Sequence, residues 1–170
     1  MAMSMYQGSV PVLVNMLRNL RTILGKAAAH VEAKKLDPAA LIGFRLYPDM
    51  FPLSRQIQIA TDMSKSCVAR LAGVEPPKWE DNEKTFEDLY ARLDKAIEYA
   101  KSFKPAQIDG TEERDVVLKS PRGEMKFKGQ PFLVHFVLPN FYFHATTAYN
   151  ILRHNGVELG KMDFIGPPPG

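Results

Sequence analysis

One cysteine, Cys67, in 170 residues rules out an internal disulfide and a cysteine-rich zinc site. Its place on an apolar helical stripe fits a buried structural thiol. No apolar run approaches the roughly 20 residues that cross a bilayer. The start, Met1 to Tyr6, lacks the basic flank and long apolar core of a secretory signal, so a cytoplasmic protein with no membrane partner is expected. A formal charge of +3 is small and scattered, without the basic stripe that nucleic-acid binding needs. Several catalytic signatures are missing as well. There is no glycine-rich phosphate loop, no His-Glu-x-x-His, no Glu-x-x-His of the di-iron bundles, and no serine in a Gly-x-Ser-x-Gly turn.

What remains is helical periodicity. The length predicts one domain with a real core, and 45% apolar and 24% charged residues are ordinary for a globular chain. Val10, Leu13, Leu17, Leu20, Leu24, Ala27 and Val31 alternate steps of three and four, the stripe of a bundle helix. Ser9 is placed to cap it ahead of Pro11. The connection after Asp37-Pro38 runs through Leu46-Tyr-Pro-Asp-Met-Phe-Pro52, whose two prolines forbid regular helix. A second helix is expected from Pro52, burying Leu53, Ile57, Ala60, Ser64, Cys67 and Leu71 and closing at Gly73. Asp49 is read as the cap of this helix in preference to a polar wall residue. After a proline-broken crossing, Thr85-Phe-Glu-Asp88 fits a capping box. The third helix carries Phe86, Leu89, Leu93, Ala96, Ile97 and Ala100 inward to about Phe103.

Two β-prone runs, Arg114 to Lys119 and Glu124 to Lys128, predict a hairpin. A fourth helix is expected from Pro131 to Gly156. It is apolar almost all round between Phe132 and Phe143, as in a helix that is central or covered by another subunit; a homodimer is therefore expected. The fold class is all-α: a four-helix bundle with a small β-hairpin before the last helix, one domain over residues 1–166 and a flexible tail over 167–170.

Candidate chemistry centres on Asn140 and His144. Four residues apart on a helix, they share a face with Thr147 and Ile151. Neutral imidazole is a good ligand for zinc, nickel and iron, whereas an amide oxygen is a weak one. The bland alternative is a buried polar pair that only fixes helix register. Pro139 inside this helix removes one backbone bond and frees the carbonyl of His135, so a kink is expected there. His135 is half a turn out of phase with His144 and is read as structural. Gln56 lies near the core face of the second helix, with Gln58 and Asp62 close by. His30 and His154 stand near helix C-termini, where they offset the dipole.

Several segments resemble, in order, one known family: Ser4-Met-Tyr-Gln-Gly-Ser-Val-Pro11, Leu46 to Pro52, Leu71-Ala-Gly73, His135 to His144 and Ile151 to Val157. The chain is similar to an uncharacterised bacterial and fungal family in the DinB/YfiT-like superfamily. That resemblance implies a four-helix bundle, often dimeric, with a metal held by three histidines. One would come from helix two and two from a His-x-x-x-His on helix four. It also implies relatives that are thiol-dependent transferases, a maleylpyruvate isomerase or metal hydrolases. Against that pattern His144 matches one ligand, Asn140 replaces another, and helix two has no histidine.

The leading expectation is a small-molecule pocket at the degenerate metal position. His144 would be the catalytic acid or base, Gln56, Asn140, Asp49, Tyr47 and Tyr142 would line it, and Phe51 would add an apolar wall. No cofactor is expected. A weakly bound divalent metal on His144, with oxygen ligands such as Asp49, is the alternative reading and would suit a hydrolase or transferase. A non-enzymatic dimer is the third.

Overall fold

A computed structural model describes residues 3–120 and 123–167. Four long helices form the body: α1 (Val10–Lys34), α3 (Leu53–Leu71), α4 (Phe86–Lys101) and α7 (Leu138–His154). Short helices α2 (Pro38–Ile42), α5 (Pro105–Ile108), α6 (Gly129–Pro131) and α8 (Lys161–Ile165) decorate the connections. The hairpin β1 (Asp115–Ser120) and β2 (Gly123–Lys128) precedes the last long helix. α3 packs chiefly on α7 and α4, and α1 on α4. The loose tail expected over 167–170 lies, beyond Pro167, outside the described residues.

The stripes behave as their spacing requires. Leu13, Leu17, Leu20 and Leu24 of α1 are sealed from solvent, as are Leu53, Ile57, Ala60, Cys67 and Leu71 of α3 and Leu89, Leu93, Ala96 and Ala100 of α4. Each buried leucine or isoleucine contributes about 2 kcal/mol of transfer free energy, which the ordering entropy of the chain largely offsets. Cys67 is part of this core, and burial pushes its thiol pKa up. Thr85 closes the expected capping box: Asp88 N–H donates to Thr85 Oγ1 at 3.1 Å, and Thr85 N–H donates to Asp88 Oδ2 at 3.0 Å.

Two expected caps are corrected. Ser9 makes no cap bond to α1; its hydroxyl donates to the Met5 carbonyl at 2.6 Å. A hydrogen-bonded turn upstream already occupies it. Asp49 is exposed and does not cap α3. The chain re-enters at Pro52 through an isolated bridge between Arg45 and Pro52, with Leu53 N–H donating to the Phe44 carbonyl at 2.9 Å. That bridge satisfies the start of α3 from the backbone and leaves the Asp49 side chain outside.

The fourth helix departs most from regularity. Phe132–Val137 is π-helical, and Leu138 N–H reaches back five residues to Leu133 O. Pro139 follows at the start of α7. A proline ring clashes with the carbonyl four residues back, and the wider π turn relieves that crowding. The disruption expected at Pro139 is therefore a change of hydrogen-bond register upstream. Phe132 and Phe136 of this segment pack on Phe127 of β2, with ring centroids 5.9 and 5.3 Å away, which anchors the hairpin to the bundle. The helix is not buried all round: Val134 and Phe143 are exposed.

Candidate functional site

α3 and α7 pack along their length, and this brings Gln56 and His144 together. Gln56 stands one turn into α3 and is 1% exposed; His144 stands on the inward face of α7 and is 8% exposed. Gln56 Oε1 lies 2.7 Å from His144 Nδ1. The Gln56 amide nitrogen donates to the Phe51 carbonyl at 2.9 Å, so the irregular loop before α3 is tied to the imidazole through one side chain. Burial, and secondarily the positive charge of Arg55, holds the His144 pKa below its ordinary value. The ring is neutral at neutral pH.

His144 Nε2 has no hydrogen-bond partner among the described residues. It is not sealed either: there, the buried side-chain polar atom without a partner is Ser64 Oγ. A neutral, anchored imidazole thus presents one free nitrogen at the surface. Phe143 stands edge-on to it at 5.2 Å between centroids and is 56% exposed. Phe51 is also exposed, with the Arg55 guanidinium 6.0 Å from its ring centroid.

The other candidates separate. Asn140 is half-buried and makes no side-chain hydrogen bond among the described residues, so the pair that forms is Gln56–His144 and not Asn140–His144. Tyr47 and Asp49 are exposed on the loop. Tyr142, one residue from Phe143, turns the other way and lines a cleft of about 790 Å³ with Tyr6, Val10, Pro11, Val14 and Arg18. Burial pushes its phenol pKa up. His135 is exposed, within the π-helical segment upstream of α7.

A polar cluster that periodicity did not reveal lies beside this site. Arg92 of α4 is buried, and its guanidinium donates to Thr61 Oγ1 at 2.8 Å, to the Glu80 carbonyl at 2.9 Å and to Glu83 Oε1 at 2.8 Å. It also pairs with Asp62 at 3.1 Å and Asp81 at 2.9 Å. Trp79 is flanked by Lys65 and Lys95, whose ammonium groups lie 4.4 and 4.6 Å from its ring centroid. Arg55 bonds Gln58 at 3.2 Å and pairs with Asp81, and Gln58 donates to Glu83 at 2.8 Å. The cluster straps the crossing segment onto α3 and α4. One signal for it was available: Arg92 falls among Leu89, Leu93 and Ala96 on the inward stripe, where a charge needs partners.

The sequence matches the model of a family described as a domain of unknown function, DUF1993, over residues 5–165. The chain belongs to the DUF1993 family. DUF1993 has structural kin: this chain is similar to the crystal structure of a DinB family member protein from Shewanella denitrificans. The two share 40% identity and a TM-score of 0.89, over 97% of this chain and 93% of that one. No curated protein matches. No helix among the described residues is long and apolar enough to cross a membrane.

The donor set of this DUF1993 chain does not fit the three-histidine metal that the superfamily resemblance implies. Among the described residues no three His, Cys, Asp or Glu side chains converge as a metal site. His144 offers one nitrogen, its other being engaged by Gln56. A single imidazole with an amide nearby is a poor site for zinc or nickel.

Proposed function

We propose that this protein is a small-molecule-binding bundle whose ligand docks on Nε2 of His144, with the imidazole serving as hydrogen-bond acceptor or general base. One observation carries the reading: His144 is more than nine-tenths buried, anchored at Nδ1 and neutral, yet its second nitrogen has no partner among the described residues. Nε2 reaches the surface beside the exposed ring of Phe143, and a fixed polar atom next to an apolar wall is the kind of group that orients a bound ligand. A histidine of depressed pKa at neutral pH is in the form that accepts a proton. Asn140, half-buried four residues away, is the polar group available to orient such a ligand.

Thermal-shift screening with a panel of phenols, amides and carboxylic acids tests this on wild type and His144→Ala. Stabilisation of wild type that disappears in the variant is expected. Hits that stabilise both equally, or an empty panel, would remove the proposal. Metal content is measured in parallel by plasma mass spectrometry on untagged, chelator-free protein. The expected result is well below one ion per chain; a stoichiometric ion lost in His144→Ala would replace this reading with a metalloenzyme.

A further inference from the structure

The Gln56 side chain has two different ends, and its surroundings accept only one orientation. The Phe51 carbonyl can only accept, so the amide NH2 must face it at 2.9 Å. The other end, Oε1, can only accept in its turn, and it lies 2.7 Å from His144 Nδ1. Nδ1 must therefore carry the hydrogen. In a neutral imidazole the lone pair is then on Nε2. Flipping the amide would let its NH2 donate to an unprotonated Nδ1, but it would set oxygen against oxygen at Phe51 in a place where Gln56 is 1% exposed, a costly change for buried polar groups.

We propose that Gln56 is a positioning residue that locks His144 in the Nδ1–H tautomer, so that the site selects ligands offering an uncharged O–H or N–H donor, of the phenol or amide class, to Nε2. The inference rests on the ligand-binding reading above for its second half; the tautomer stands on geometry alone. Had Nε2 carried the hydrogen, the site would present a donor and select carboxylates or carbonyls instead. Phe143, edge-on beside the ring and exposed, supplies an apolar surface for the body of such a ligand. The positive charge of Arg55 acting on the same ring disfavours ammonium donors.

Long-range proton–nitrogen NMR on the ¹⁵N-labelled protein at about pH 8, where histidine is neutral, reads the tautomer without any ligand. A protonated, pyrrole-type Nδ1 and a pyridine-type Nε2 are expected for His144, while exposed His135 averages between tautomers. Gln56→Leu is expected to release His144 to averaging, and Gln56→Glu, whose carboxylate accepts from Nδ1–H but sets an oxygen against the Phe51 carbonyl, to keep the Nδ1–H signal at a loss of thermal stability. An Nε2–H tautomer in wild type overturns the inference whatever the variants do. Titration with phenol and with anisole, its methyl ether, then follows the His144 Nε2 signal. Phenol is expected to bind about five- to tenfold more tightly, the worth of one neutral hydrogen bond. Equal binding overturns the donor selectivity. No binding of either probe overturns the ligand-binding reading and leaves the tautomer to be judged on its own spectrum.

Discussion

His144 is held in place by an amide, and this gives it a measurable effect on stability. Its folded pKa is lowered from 6.5 by burial and by Arg55. As pH falls, the unfolded chain binds this proton first, so the contribution of His144 is level above about pH 6.5 and destabilising below it. The loss stops growing once the folded imidazole protonates too. Urea titrations at several pH values between about 5 and 8 should show wild type losing more stability on acidification than His144→Gln. Equal slopes for the two proteins would contradict the depressed pKa. At the same scale, Gln56 and His144 were both legible as polar breaks in apolar stripes, but their pairing was not. Residues 88 positions apart meet only once α3 and α7 have packed.

Individual elements differ in how much they owe to local sequence. The capping box at Thr85 and the stripes of α1, α3 and α4 follow from spacing alone. The crossing segment between α3 and α4 does not: it is irregular backbone held down by Arg92, whose partners come from α3 and from the crossing itself. Removing Arg92 leaves Asp62 to Lys65 and Asp81 to Arg55, but takes the cation from Glu83, which is largely buried and keeps only its bond from Gln58. Arg92→Leu is therefore expected to cost about 2–3 kcal/mol, below the full cost of breaking a buried pair because Asp62 and Asp81 are partly solvated. Arg92→Lys should recover little of it, since an ammonium cannot span the same fork of acceptors. Urea denaturation measures both. A loss under about 0.5 kcal/mol, the scale of an ordinary surface substitution, would show that the strap does not hold the crossing.

For the whole molecule, the open question is what covers the outer face of the fourth helix. Val134 remains exposed on its π-helical stretch, although a large apolar side chain on an otherwise apolar helix normally finds cover. We propose that a second copy of the chain supplies that cover. Light scattering at micromolar concentration should return the mass of a dimer for wild type, and a smaller mass for Val134→Asp, because a carboxylate buried without a partner opposes association. A monomeric wild type would end the proposal. Phe143 is left intact in this variant so that the His144 site can be assayed in the same protein.

By itself the sequence determined the four long helices and the faces that α1, α3 and α4 bury, because those depend on residues three and four apart. It also carried the family, through motifs spread along nearly the whole chain. Tertiary structure alone decided that His144 pairs with Gln56 rather than Asn140, that Tyr142 faces a different cleft, and that Arg92 gathers carboxylates from α3 and the crossing segment. Those contacts join side chains distant in sequence, and a buried polar group takes whichever partner the packed helices place within hydrogen-bond reach.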